Sequence, residues 1–288
     1  MRNMLKLFIF LIFPLSSVSQ ESFSSWNEKG NNSLENQNYP EALSFFMKAI
    51  EIGTENKADL IWTAATAAIC AQQINDTTKA IFFFETALKN DCKDEDIHER
   101  YLKLAQQQKD LDKEEFILKQ ARKNVTDANN KYTIKLLNFY FNNNLFEKAI
   151  QLADEPLSAS LNQGQIVIFK AISLTKTGKS NEAIQLLEKF IDNNPDSFEA
   201  LKQMGLICYD VALTTNTKAK SDYKNLKKPS WDDYNNFLIK EKKSAEQFKK
   251  ALPFLEKAYQ IKADETLKNT LYNTYIKLGN KGKASLYK

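Results

Sequence analysis

The chain has 288 residues, is 43% hydrophobic and carries 40 Lys+Arg against 36 Asp+Glu, a formal net charge of +4. So small an excess, with Arg only at Arg2, Arg100 and Arg122, argues against nucleic-acid recognition, which leans on Arg for bidentate contacts. Seven Gly, six Pro and a single His exclude a turn-rich all-β fold and glycine-built phosphate loops, and make His-based metal or Ser-His-Asp sites hard to build. An all-α protein is what remains.

Residues 1–19 read as a secretory signal. Arg2 and Lys6 precede the apolar run from Leu7 to Leu15, and Ser17-Val18-Ser19 supplies small residues for cleavage before Gln20. The run is too short to span a membrane, which takes roughly 20 apolar residues. No Cys follows it, so the lipoprotein anchor is not available and a periplasmic or envelope-associated location is expected.

Beyond residue 20 a pattern repeats. Ala42-x3-Phe46-x2-Ala49 recurs as Ala80-x3-Phe84-x2-Ala87, as Ala183-x3-Leu187-x2-Phe190 and as Ala251-x3-Leu255-x2-Ala258. Each reads as an amphipathic helix. Gly30, Ala68 and Ala171 stand 12 residues before Ala42, Ala80 and Ala183, where small residues let two helices approach closely. Segments 35–39, 176–179 and 278–283 read as the turns between them.

This pattern resembles the tetratricopeptide repeat, a helix–turn–helix unit of about 34 residues. Trp26-x3-Gly30…Ala42-x3-Phe46-x2-Ala49 matches it best, followed by Ala171…Ala183…Phe190…Pro195. The resemblance implies a right-handed α-solenoid over 20–288 with about seven repeats, near 23–56, 60–93, 96–126, 130–160, 164–197, 198–264 and 265–288. The third lacks the small residues, the fourth keeps only Phe146 and Ala149, and the last ends soon after Ala284.

The sixth unit departs from the period. Gly205 and Ala251 are 46 residues apart instead of 12, an excess of 34. A degenerate extra repeat has the right length. A long helical hairpin inserted over 211–250 suits the residues better: 198–226 can continue as one helix, Lys227-Lys228-Pro229-Ser230 make a tip, and Ser230-Trp231-Asp232-Asp233 start the return. Such a hairpin reaches about 25 Å beyond an ordinary repeat at 1.5 Å per residue. Tyr223 and Leu226 should face Trp231, Tyr234 and Leu238, and Pro253 should kink the returning helix.

Chemistry-bearing motifs are scarce. His98-Glu99 lacks the second His of a zinc protease motif, and His98 is expected on a helix surface. No nucleophile elbow or phosphate loop occurs, so no catalytic residue, cofactor or metal ligand is assigned. Cys70, Cys92 and Cys208 are expected as small buried residues, with a Cys70–Cys92 bridge left open.

In the tetratricopeptide family the first helix of each pair lines a concave groove. Trp62, Ala65 and Ile69 form an apolar stripe there, opposite the small stripe Ala64, Ala68 and Ala71. By the same offset Ile168 and Ile172, then Lys202, Leu206 and Tyr209, then Asn269, Asn273 and Lys277 become groove candidates. Asn27 and Asn31 lack the Lys and Arg partners of the family's carboxylate clamp. Segment 218–250 holds ten Lys against five acids, which makes Lys227, Lys228, Trp231 and Tyr234 docking candidates for an acidic protein or an anionic membrane.

The reading is therefore a non-enzymatic scaffold or adaptor for a protein or peptide in a bacterial envelope assembly, with no nucleic-acid partner and no membrane span once the signal is removed. The alternatives are a structural component that self-associates through its C-terminal repeat, where Tyr272, Tyr275, Ile276 and Leu286 leave apolar surface, and, more remotely, an enzyme accessory subunit.

Overall fold

The computed structural model describes residues 22–126, 130–156 and 163–288. The expected signal over 1–19 and parts of two connectors lie outside the described residues. The described chain is helical: α1 (Phe23–Glu35), α2 (Tyr39–Ile52), α3 (Lys57–Gln73), α4 (Thr77–Lys89), α5 (Glu95–Gln108), α6 (Leu111–Asn124), α7 (Lys131–Asn142), α8 (Phe146–Ala153), α9 (Gln163–Lys176), α10 (Ser180–Asn193), α11 (Phe198–Lys224), α12 (Trp231–Ile261), α13 (Glu265–Lys277) and α14 (Lys281–Ala284), with a final 3-10 turn over Ser285–Tyr287. It divides into two compact units, one ending at Leu111 and one starting at Asp112, where a single array was expected.

Helix starts follow from side-chain chemistry. Ser22, Asn56, Asp76, Asp94, Ser230, Asp264 and Asn280 each accept a backbone N–H of the first turn, filling valences the helix leaves open. Pro40 sits in the first turn of α2, where its missing N–H costs nothing.

One turn geometry recurs within the pairs. Gln37, Asn75, Lys109, Asn144, Gly178 and Gly279 all have φ between 55° and 82°, the left-handed conformation that ends a helix sharply. The next residue donates its N–H back to the carbonyl five residues earlier: Asn38 to Ser33 (2.8 Å), Asp76 to Ala71 (2.9 Å), Asp110 to Ala105 (3.1 Å), Leu145 to Tyr140 (2.8 Å), Lys179 to Leu174 (2.7 Å) and Asn280 to Tyr275 (2.9 Å). The motif includes the third and fourth pairs, where the small-residue pattern is faint.

Close approach sets the packing. Ala42, Ala68, Ala80, Ala171, Ala183 and Ala251 are fully buried. A Cβ on Gly30 would lie 2.5 Å from Phe46 Cε1, and one on Gly205 would lie 2.6 Å from Leu255 Cδ2. In the second unit the first helices of successive pairs also touch, α7 with α9, α9 with α11 and α11 with α13, so each unit is a short α-solenoid of stacked pairs.

Buried Tyr–Glu links stitch neighbouring pairs. Tyr101 Oη donates to Glu85 Oε1 (3.0 Å), Tyr140 Oη to Glu115 Oε1 (3.0 Å), and Tyr275 Oη to Glu256. Burial, then the facing carboxylate, raises all three phenols. Burial alone would raise Glu115, but Lys119 (2.7 Å), Lys148 (2.8 Å) and Tyr140 outweigh it and bring its pKa to about 2.

The sixth unit is a long hairpin. Helix α11 runs unbroken through the region where the period calls for a turn, and Ser244 Oγ of α12 donates to the Ala212 carbonyl there (2.8 Å). Ser230 and Asp233 form a reciprocal capping box at the start of α12. Between the arms Tyr223 stacks on Phe237 at 5.0 Å and meets Tyr234 at 6.0 Å. Phe237, not Leu238, is the inward aromatic, because the 100° step of the helix turns Leu238 outward, where it is exposed. Pro253 lies inside α12, which continues on both sides of it.

Gly205→Ala should cost about 1–3 kcal/mol in urea unfolding, since Leu255 has no space to withdraw into. Glu115→Gln should cost about 1–3 kcal/mol at neutral pH. The folded pKa of Glu115 lies below its ordinary value of 4.5, so its contribution is present above pH 4.5 and is lost as the pH falls toward about 2. Unfolding curves of parent and variant should therefore converge in that acidic window.

Candidate interaction surfaces

The first unit carries a cleft of about 700 Å³ between α3 and the chain from Asn90 to Ile97. Ile61, Trp62, Ala65 and Ile69 of α3 form one wall, with Ile97 across from them. Trp62 is 46% exposed, and its ring meets the edge of buried Phe46 at 6.0 Å. The indole is thus held from behind while part of it stays open to the cleft. Lys57, Lys93, Asp91 and Asp94 also line the cleft, and Lys57 pairs with Asp91 at 2.6 Å. Opposite this wall, Ala64, Ala68 and Ala71 are fully buried, so the two stripes of α3 serve different ends.

The structure thus gathers Trp62, Ala65 and Ile69 on one surface. In the second unit Ile168 and Ile172 share a cleft of about 510 Å³ with Gly164, Phe169 and Glu199. Lys202 is not free for a ligand: its ammonium pairs with Asp264 at 2.5 Å and lies over the Phe198 ring. Tyr209 packs on Phe248 of α12 at 5.5 Å, and Leu206 packs against the core of the second unit, so both serve the hairpin base. Asn269, Asn273 and Lys277 are exposed along α13. Asn27 accepts a hydrogen bond from Thr63 (3.0 Å).

His98 is not on the surface. It is fully buried, with Nδ1 2.8 Å from the Asp94 carbonyl, because the first turn of α5 faces inward; burial lowers its pKa. The three thiols are free and buried. Burial pushes Cys70 and Cys208 up to about 11 and also raises Cys92. Sequence reasoning missed the Tyr–Glu links; their only trace is a Tyr on one helix and a Glu on the one before, too common a pairing to single out. Among the described residues no cluster of three or more His, Cys, Asp or Glu is placed to hold a metal ion.

Residues 21–93, which hold α1 to α4, match the tetratricopeptide repeat family model. Over these residues the chain carries tetratricopeptide repeats, a fold that generally mediates protein–protein interaction. A search among curated proteins gives no significant match. Similar solved structures include a monomeric mutant of IFIT1 with m7Gppp-AAAA (16% identity, TM-score 0.47), 91% of this chain aligning with 58% of that one. The C-terminal part of a repeat-containing protein from Cytophaga hutchinsonii is similar at 16% identity and TM-score 0.46, covering 90% of this chain and 92% of that one. A repeat protein from Bacteroides fragilis is similar at 15% and 0.44, covering 88% and 98%. The chain spans little more than half of the IFIT1 chain.

A thiol reagent such as Ellman's should react slowly with the native protein and titrate three thiols after denaturation in guanidinium. Rapid stoichiometric labelling of the native chain would contradict the burial of these cysteines.

Proposed function

We propose that the protein is a non-enzymatic scaffold or adaptor that holds a segment of a partner protein in the cleft along α3. The cleft itself carries this reading: an open apolar wall, a rigidly backed and half-exposed Trp62, and charges of both signs alongside. Aromatic anchors of this kind dominate protein interfaces, and the charges select and orient the partner. The positive start, the apolar run Leu7–Leu15 and the small residues before Gln20 support export, so we place the scaffold in a bacterial envelope assembly. No described helix is long and apolar enough to cross a membrane.

Crosslinking in intact cells, followed by affinity capture and mass spectrometry, should recover a reproducible protein partner. Trp62→Ala should weaken its binding at least about tenfold while leaving the helical content unchanged. Leu286→Ala, on an exposed residue of the other unit, is the control and should bind as the parent does. Undiminished capture by Trp62→Ala would remove the cleft from the interface.

A further inference from the structure

The hairpin of α11 and α12 has an inner seam that already satisfies its packing. Tyr223, Phe237, Ser244 and Phe248 lie between the arms or at their base. Other large apolar residues of the hairpin keep much of their surface exposed. Trp231 is 72% exposed, Ile239 65%, and Leu226 and Leu238 42% each. The 100° helical step puts Trp231, Leu238, Ile239, Lys242 and Lys243 on the side of α12 away from Phe237 and Phe248. Leu226, Lys227 and Lys228 extend this surface across the tip.

Its charge is mostly positive, with Asp232 the exposed acid beside Trp231. Of the five acids in 218–250, four are engaged: Asp222 and Glu241 pair across the arms with Lys240 and Lys220, Glu246 pairs with Lys249, and Asp233 is held by Ser230. Lys227, Lys228, Lys242 and Lys243 make no ion pair among the described residues. The whole segment is net +5, and all its positive charge is Lys.

We propose that this outer face docks on an anionic phospholipid bilayer, with Trp231 and its apolar neighbours entering the interfacial layer and the lysines spread over the headgroups. Indoles favour the membrane–water interface, and Lys stems lie along apolar surface while the ammonium reaches anionic headgroups. The cleft of about 430 Å³ near the tip is lined by Asp222 and Asp233 as well as Tyr223 and Phe237, and it reaches Leu226 and Ile239 at the edge of this face. The kind of charge favours a bilayer over an acidic protein. No Arg occurs after Arg122, whereas protein carboxylates are best fixed by Arg in bidentate geometry; Lys point charges suit a fluid array of headgroups. The surface is independent of the α3 cleft.

The full chain with Trp26→Phe and Trp62→Phe leaves Trp231 as its sole indole, so its emission reports the arm even if another segment also meets lipid. Vesicles of phosphatidylglycerol and phosphatidylcholine should shift that emission to the blue, and brominated lipid should quench it. Pure phosphatidylcholine should do neither. Replacing Lys227, Lys228, Lys242 and Lys243 by Glu should weaken the lipid titration about tenfold or more, and salt should act in the same direction. Circular dichroism of that variant confirms that it remains folded. An unchanged Trp231 emission with phosphatidylglycerol overturns the proposal. So does an equal response to neutral vesicles or by the charge-reversed variant. A response to poly-glutamate but not to vesicles also overturns it and assigns the arm to an acidic protein. None of these outcomes bears on the Trp62 cleft.

Discussion

Two helices joined by a two- or three-residue turn must lie side by side, and how near they come is decided by the smallest residue at their crossing. In this protein that residue is Gly or Ala, and it is buried wherever the repeat is clear. At Gly30 and Gly205 even a methyl group would collide with Phe46 or Leu255. The short separation brings large side chains such as Phe46, Phe84 and Leu187 into contact over their full surface. No single pair could bury its second face, so pairs must stack, and the stacking leaves one wall of α3 facing a cleft.

The turns impose the same discipline from the backbone. A left-handed residue stops the first helix, and the following N–H closes onto a carbonyl five residues back. Gly178 and Gly279 adopt this conformation without steric cost, and Asn75 and Asn144 tolerate it well. Gln37 and Lys109 adopt it as well, although their side chains do not favour it. Where the period calls for the sixth such turn, α11 carries straight on and the arms find each other instead. Ser244 reaching the Ala212 carbonyl, and Tyr223 stacked on Phe237, supply contacts that the missing turn would have provided.

The two candidate surfaces follow from this construction by different routes. Trp62 is available because Phe46 meets its ring from the core side while close to half of the residue stays exposed. Trp231 is available because the seam of the hairpin is filled by Tyr223 and Phe237. One surface is a cleft with mixed charge. The other is basic and edged with apolar residues. These surfaces suit a protein segment and a headgroup layer respectively, and the first does not require the second.

The all-α class, the pairing of Gly30 with Ala42 or Ala171 with Ala183, and the tip at 227–230 were legible in the sequence. They depend on local chemistry: helical spacing, small residues at a fixed offset, and a Ser-Trp-Asp-Asp start. The Trp62–Ile69 stripe was legible for the same reason. What depends on neighbours distant in the chain was not. The sequence cannot show that Lys202 is drawn to Asp264 or that Tyr209 turns onto Phe248, since each partner belongs to another helix, nor that the first turn of α5 carries His98 inward. Nor does it show the carboxylates waiting for Tyr101, Tyr140 and Tyr275, or the left-handed turn at Lys109, a residue with no preference for one. Periodicity states which face of a helix is apolar; only the packed structure decides which part of that face is covered and which is left to meet a partner.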